Sequence, residues 1–132
     1  MNVKALILIG VLCSNADARS IKHLENLMLT FPPSSSVVAA SSVRSLSQAI
    51  DRAAQKCPTW GIEVIALEAV IDPMHRMIAM DRNASLRTAL VQLGAPPGRI
   101  YGETFDARRP PSYVRDQVPT NAVQVQLVCT PG

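Results

Sequence analysis

The chain has 132 residues, 48% hydrophobic and 17% charged, with aromatic residues at only 4%. That is enough for one domain with one mainly aliphatic core, and it excludes a disordered chain. The formal charge of +3 favours anionic partners, but no basic stripe of the density that nucleic-acid binding needs is present.

In chain order, Lys4 precedes the apolar run Ala5 to Leu12, and Ala16-Asp17-Ala18 offers the small residues that a signal peptidase reads. Residues 1–18 are therefore expected to be a leader, with the mature chain starting at Arg19, periplasmic or secreted. The apolar run is short of the roughly 20 residues needed to span a bilayer. No stable membrane insertion is expected after cleavage; an uncleaved anchor is the alternative. Leu12 before Cys13 argues against lipidation, because a small residue is needed there. Losing Lys4 and Asp17 leaves the net charge unchanged.

Cleavage leaves Cys57 and Cys129 in a compartment where disulfides persist. A bridge between them closes a loop of about 70 residues, for which chain entropy gives about 4 kcal/mol. Two buried free thiols are the competing reading, and the missing Cys-x-x-Cys spacing argues against a redox pair.

Residues Arg19 to Glu25 read as a polar arm, leaving 26–132 as a single domain. Asn26 to Phe31 alternates as a strand, and Pro32-Pro33 stops it. Ser41 or Ser42 is expected to cap a helix reaching about Lys56, with Val43, Leu46, Ile50 and Ala53 facing inward. Trp60-Gly61 is turn chemistry. Ile62 to Leu67 follows as a nearly continuous apolar strand, which suggests a central position.

Asp72-Pro73 is a strong helix start, a carboxylate at N-cap and a proline at N1. Met74, Ile78, Leu86, Leu90 and Leu93 fall on one face, with Arg82 on that face where leucine would be the plain choice. Gly94 and Pro96-Pro97 end the helix. Ile100 to Phe105 is the next strand. The stretch Asp106 to Pro119, carrying Arg108, Arg109 and Arg115 among prolines, is long for a hairpin connection, and loops of that length are often functional. Asn121 to Cys129 is the last strand, with Val123, Val125 and Leu127 on one side and Gln124 and Gln126 on the other. The order β-α-β-α-β-β predicts an α+β two-layer sandwich, a mixed four-stranded sheet with both helices on one face.

The run Arg82 to Ile100, then Phe105 and Arg108-Arg109-Pro110, together with Leu29-Thr30-Phe31 and the first helix, resembles the C-terminal, peptidoglycan-binding domain of outer-membrane protein A and its relatives. In that family an arginine-bearing helix ends in a Leu-Gly-hydrophobic-Pro turn before a strand. The resemblance implies that the last strand lies between the first and second, which would bring Cys129 near Cys57. It also implies a pocket in which an aspartate and the helix arginine hold the charged ends of the diaminopimelate side chain of the stem peptide. A zwitterionic end needs a carboxylate for its ammonium and a guanidinium for its carboxylate.

Arg82 matches the arginine. The aspartate position falls on Leu67 and the threonine before it on Ala66, so half of the clamp is replaced; Glu68 or Asp72 is the nearest substitute. His75 and Asn83 stand at the family's helix asparagine and at the alanine after the arginine. The candidate ligand residues are thus Arg82, Glu68, Asp72, His75 and Asn83, with Arg108, Arg109 and Arg115 as a partner surface. Set against this, Arg82 can pair with a nearby acid, and the three loop arginines can simply be solvated.

His23 and His75 supply no four-ligand set for zinc, and neither a metal nor a cofactor is expected. Met74, Met77, Ile78 and Met80 can form an adaptable surface, although core or helix-edge positions suit most of them. Nucleophile–base spacing and paired acids in a cleft are missing, so an enzyme is not expected. The expected partner is peptidoglycan or another anionic envelope component; a module that has lost that ligand and binds an envelope protein is the alternative.

Overall fold

The computed structural model describes residues 22–57, 61–114 and 116–130. Strand β1 (Lys22–Thr30) leads to helix α1 (Ala40–Lys56), strand β2 (Ile62–Val70) and helix α2 (Pro73–Gln92). A short 3-10 turn (Pro97–Arg99), strand β3 (Ile100–Asp106) and strand β4 (Ala122–Cys129) complete the chain. The expected leader, Arg19 to Ile21, Trp60 and Arg115 lie outside the described residues.

The sheet has four strands in the order β1-β4-β2-β3. β4 is antiparallel to both of its neighbours, and β2 and β3 run parallel. This is the mixed α+β sheet that the element order predicts, with the last strand between the first and second. The parallel pair requires a crossover, and α2 supplies it.

Three local expectations are corrected. β1 begins at Lys22, so residues 22–25 of the expected arm are strand, paired from Lys22↔Cys129 onward with an irregularity between His23 and Glu25. Its polar start is held by Glu25, which accepts from both Arg52 and Lys56 of α1. Helix α1 begins at Ala40 after Ala39, with no side-chain cap, and Val43 N–H bonds the Ala39 carbonyl, so neither Ser41 nor Ser42 is the N-cap.

In α2 the buried positions are Ala79, Arg82, Leu86 and Leu90. Stepping back along that stripe by four residues reaches His75, which is half-buried, and Met74 is turned into solvent. Both ends of α2 are as expected. The Asp72 carboxylate accepts from His75 N–H at 2.7 Å, and Gly94 adopts φ 102°, the left-handed conformation that ends a helix at low cost for glycine.

Between helices and sheet lies the aliphatic core, including Leu29, Leu46, Ile50, Val64, Leu86, Leu90, Val125 and Leu127. Cys57 and Cys129 are joined in a disulfide, Cα atoms 5.7 Å apart, tying the end of α1 to the end of β4. Beside it Gly61 runs so close to the Thr130 carbonyl that a side chain would collide with it.

The opposite face of the sheet is not open. The register places Leu67, Gln124 and Glu103 in one row and Gln126 beside Asn26 in another, and residues of the β3–β4 connection, Tyr113 and Asp116 among them, lie against these rows. Tyr113 donates its hydroxyl to Glu103 at 2.6 Å, Gln126 donates to the Tyr113 carbonyl, and Asn26 donates to Asp116. Gln124 and Gln126, on the side of β4 away from the helices, are buried by this cover.

Candidate functional site

Arg82 is central to the helix-covered face. Its side chain is 0% exposed, although it belongs to the most strongly hydrated class of residues. A guanidinium has five N–H donors, and each one of Arg82 is used within the chain. Nε donates to the Ser35 carbonyl at 2.8 Å. Nη1 donates to Glu68 Oε2 at 3.1 Å and to Asn121 Oδ1 at 3.0 Å. Nη2 donates to the carbonyls of Pro32 at 2.9 Å and Pro33 at 3.0 Å. The Phe31 ring stacks against the group, its centroid 5.1 Å from Cζ.

Local sequence explains this cage. Pro32-Pro33 ends β1 and leaves carbonyls that no sheet ladder takes up, while proline nitrogens can donate nothing. Asn121 precedes β4 at φ 66°, a left-handed conformation that asparagine tolerates, and its carbonyl accepts from Phe31 N–H. The end of β1, the β1–α1 segment, β2, α2 and the entry to β4 therefore meet at a single cation.

Glu68 is the acid beside Arg82, and it too is fully buried. Loss of hydration pushes its carboxyl up to about 7, against the pull of the Arg82 hydrogen bond and charge. Glu68 Oε1 has no hydrogen-bond partner among the described residues.

Of the other expected ligand residues, Asp72 and His75 are joined to each other at the start of α2, where His75 Nδ1 also accepts from Ile71 N–H. Asn83 lies on the β3 side, donating to the Ala79 carbonyl and packed against Gly102. The structure thus brings Arg82 and Glu68 together and leaves Asp72, His75 and Asn83 outside their contact. Of the two readings that the sequence left open for Arg82, pairing with a nearby acid is the arrangement present, and all five of its donors are engaged within the chain. The carbonyls of Pro32, Pro33 and Ser35 and the side chains of Phe31 and Asn121 were missed because only the tertiary fold brings them to α2. The paired prolines were the one local hint.

Of the clefts elsewhere among the described residues, two adjoin the expected partner surface, and Arg82 lines neither. One, about 570 Å³, runs between the described part of the β3–β4 connection and the sheet, lined by Phe105, Pro110, Pro111, Val114 and Val118 among others. The second, about 230 Å³, sits where β2 and β3 end and α2 begins, lined by Asp72, Arg76, Asp106 and Arg108. Crevices at the carboxyl ends of parallel strands are frequent ligand sites. Arg108 is exposed there and pairs with Asp106, whose carboxyl its hydrogen bonds hold below the usual range. Arg109 is exposed beside it.

No protein-family profile matches the chain, and a search of curated proteins finds no match. Solved structures do match it. The OmpA-like domain of FopA1 from Francisella tularensis superposes with a TM-score of 0.56 at 11% identity, covering 80% of this chain and 72% of that one. The C-terminal domain of Helicobacter pylori MotB gives 0.54 at 16% identity, over 76% and 83% of the two chains. A putative MotB-like protein from Desulfovibrio vulgaris gives 0.53 at 12% identity, over 87% and 91%. The chain has the OmpA-like fold. Within that fold, the resemblance in the Arg82–Ile100 run and the strand order agree, while the arginine that carries the resemblance is enclosed. Among the described residues no helix is long and apolar enough to cross a membrane, and no group of three His, Cys, Asp or Glu residues stands ready for a metal.

Proposed function

We propose that this OmpA-like chain is an exported, non-catalytic envelope-binding module in which the clamp arginine has become an internal tie. Charged contact with an anionic envelope component then falls to the cleft at the start of α2 and to the neighbouring Arg108 and Arg109. The observation that carries this reading is the complete use of the Arg82 donors inside the chain, set against exposed Arg76 and Arg108 in the lining of a crevice, with Arg109 exposed next to Arg108. Asp72 and Asp106 in the same crevice give it both signs of charge, which suits a zwitterionic or mixed-charge ligand better than a simple polyanion.

Co-sedimentation with purified sacculi tests it. Retention at low salt that is lost in Arg76→Ala/Arg108→Ala/Arg109→Ala, and lost in wild type at high salt, is the expected result. Retention that resists salt and the triple substitution, but is competed by free diaminopimelate, contradicts it. No retention at any salt contradicts the polymer partner and leaves an envelope protein.

A second reading is favoured by the 3.1 Å contact of Arg82 with Glu68, because acid and guanidinium, the two halves of a zwitterion clamp, stand side by side. In that reading the β1–α1 segment moves aside to admit the stem peptide. It requires the loss of three carbonyl contacts from a buried cation, a large cost unless the ligand replaces them one for one.

A further inference from the structure

Three of the chain's five methionines, Met74, Met77 and Met80, fall within one short stretch of α2. All three stand in solvent, 84%, 72% and 60% exposed. They contribute little to the core, which α2 meets through Ala79, Arg82, Leu86 and Leu90. Their i, i+3, i+6 spacing advances by about 60° per step around the helix, with neighbouring Cβ atoms about 5–6 Å apart. Met77 therefore has one thioether a turn below it and another a turn above.

Three flexible bonds per side chain let adjacent sulfurs converge on a single atom between them. A thioether is a neutral, soft donor that ranks copper(I) far above zinc, magnesium or calcium. Such ligands fall outside the His, Cys, Asp and Glu sets that yield no metal group in this structure. Asp81 is exposed and projects between Met74 and Met77 on the helical wheel. It forms no ion pair among the described residues, so a carboxylate is free to balance one positive charge. His75 is directed elsewhere, with Nδ1 engaged by Ile71 N–H.

We propose that Met74, Met77 and Met80 form a surface site for a soft monovalent metal ion of the copper(I)–silver(I) class, with Met77 the shared ligand. Nothing in this site depends on the envelope reading above. Capture of an apolar partner by the same stripe is the rival explanation, and substitution by leucine separates the two, since leucine keeps the apolar surface and removes the sulfur.

The test is titration of the oxidised full chain with silver(I) in chloride-free buffer. The chain carries Cys13→Ser so that the one cysteine outside the Cys57–Cys129 bridge cannot compete. Silver needs no reductant and so leaves the disulfide intact. Native mass spectrometry is expected to show one silver ion per chain, with the methyl resonances of Met74, Met77 and Met80 shifting and that of Met28 unmoved. Met77→Leu is expected to weaken binding by more than about tenfold, because removing a ligand costs at least as much as removing a group that only orients one, about 10–100-fold. All three sites are exposed, so thermal melts of the leucine variants should match wild type. No bound silver, or binding unchanged in Met74→Leu/Met77→Leu/Met80→Leu, overturns the proposal.

Discussion

Replacing Arg82 by alanine should cost far more than an arginine usually does. The substitution leaves Glu68 buried beside an empty space and strips the carbonyls of Pro32, Pro33 and Ser35 of the donors they face. Breaking a buried pair by removing one partner costs about 3–5 kcal/mol, and the loss of the side chain from above Phe31 adds packing to that. Relaxation of the β1–α1 segment toward water recovers part of the carbonyl term, so about 4 kcal/mol is a fair expectation, or a melting temperature lower by roughly 15 °C for a domain of this size.

Urea unfolding followed by far-UV circular dichroism measures it. A double-mutant cycle with Glu68→Gln should return a coupling of about 1–3 kcal/mol, because the two side chains share one hydrogen bond and one network. An Arg82→Ala cost under about 1 kcal/mol, the range of a surface ion pair, would refute the reasoning.

Three further outcomes follow from the same geometry. The Glu68 carboxyl is raised from its ordinary 4.5 to about 7 by burial, so its contribution to stability is full below 4.5 and disappears as pH rises through 7. Between about pH 5 and about pH 8 the wild type should therefore lose up to about 3 kcal/mol relative to Glu68→Gln, read from paired denaturation curves; a difference that stays flat contradicts the assignment. Reduction of the Cys57–Cys129 bridge, which closes a separation of 72 residues, should cost about 4 kcal/mol by denaturant midpoint, and an unchanged midpoint would deny it a structural role. Gly61→Ala drives a methyl group into the Thr130 carbonyl beside the disulfide and should destabilise by about 1–3 kcal/mol, whereas a neutral result would show that this corner is loose.

Much of the fold was legible because its punctuation is local. Asp72-Pro73 and Gly94 mark the ends of α2 through backbone chemistry that needs no tertiary information, and the structure keeps both. Alternation marked the inward side of β4, and the two cysteines lie where the strand order places them. Rotation of a helix about its axis is less well fixed. Met74 and His75 differ by one residue, and only packing against β2 decides which turns inward.

Burial of Gln124 and Gln126 could not be read from their own strand either, since it depends on a segment that crosses the sheet more than ten residues earlier in the chain. For the site, sequence singled out Arg82 and offered Glu68 as its acid, and the two do meet. Whether that pair faces a ligand or the protein itself is set by carbonyl groups, of which the paired prolines at Pro32-Pro33 are the one local sign.

The central claim, that the Arg82 guanidinium is bound from within, is tested most directly by nuclear magnetic resonance of the arginine Nε–H groups. The Arg82 Nε–H, held by the Ser35 carbonyl, should give a resolved resonance that exchanges slowly with water and does not move when diaminopimelate is added to millimolar concentration. Fast exchange, or a saturable shift of that resonance on adding the amino acid, would contradict the account and return Arg82 to the ligand site.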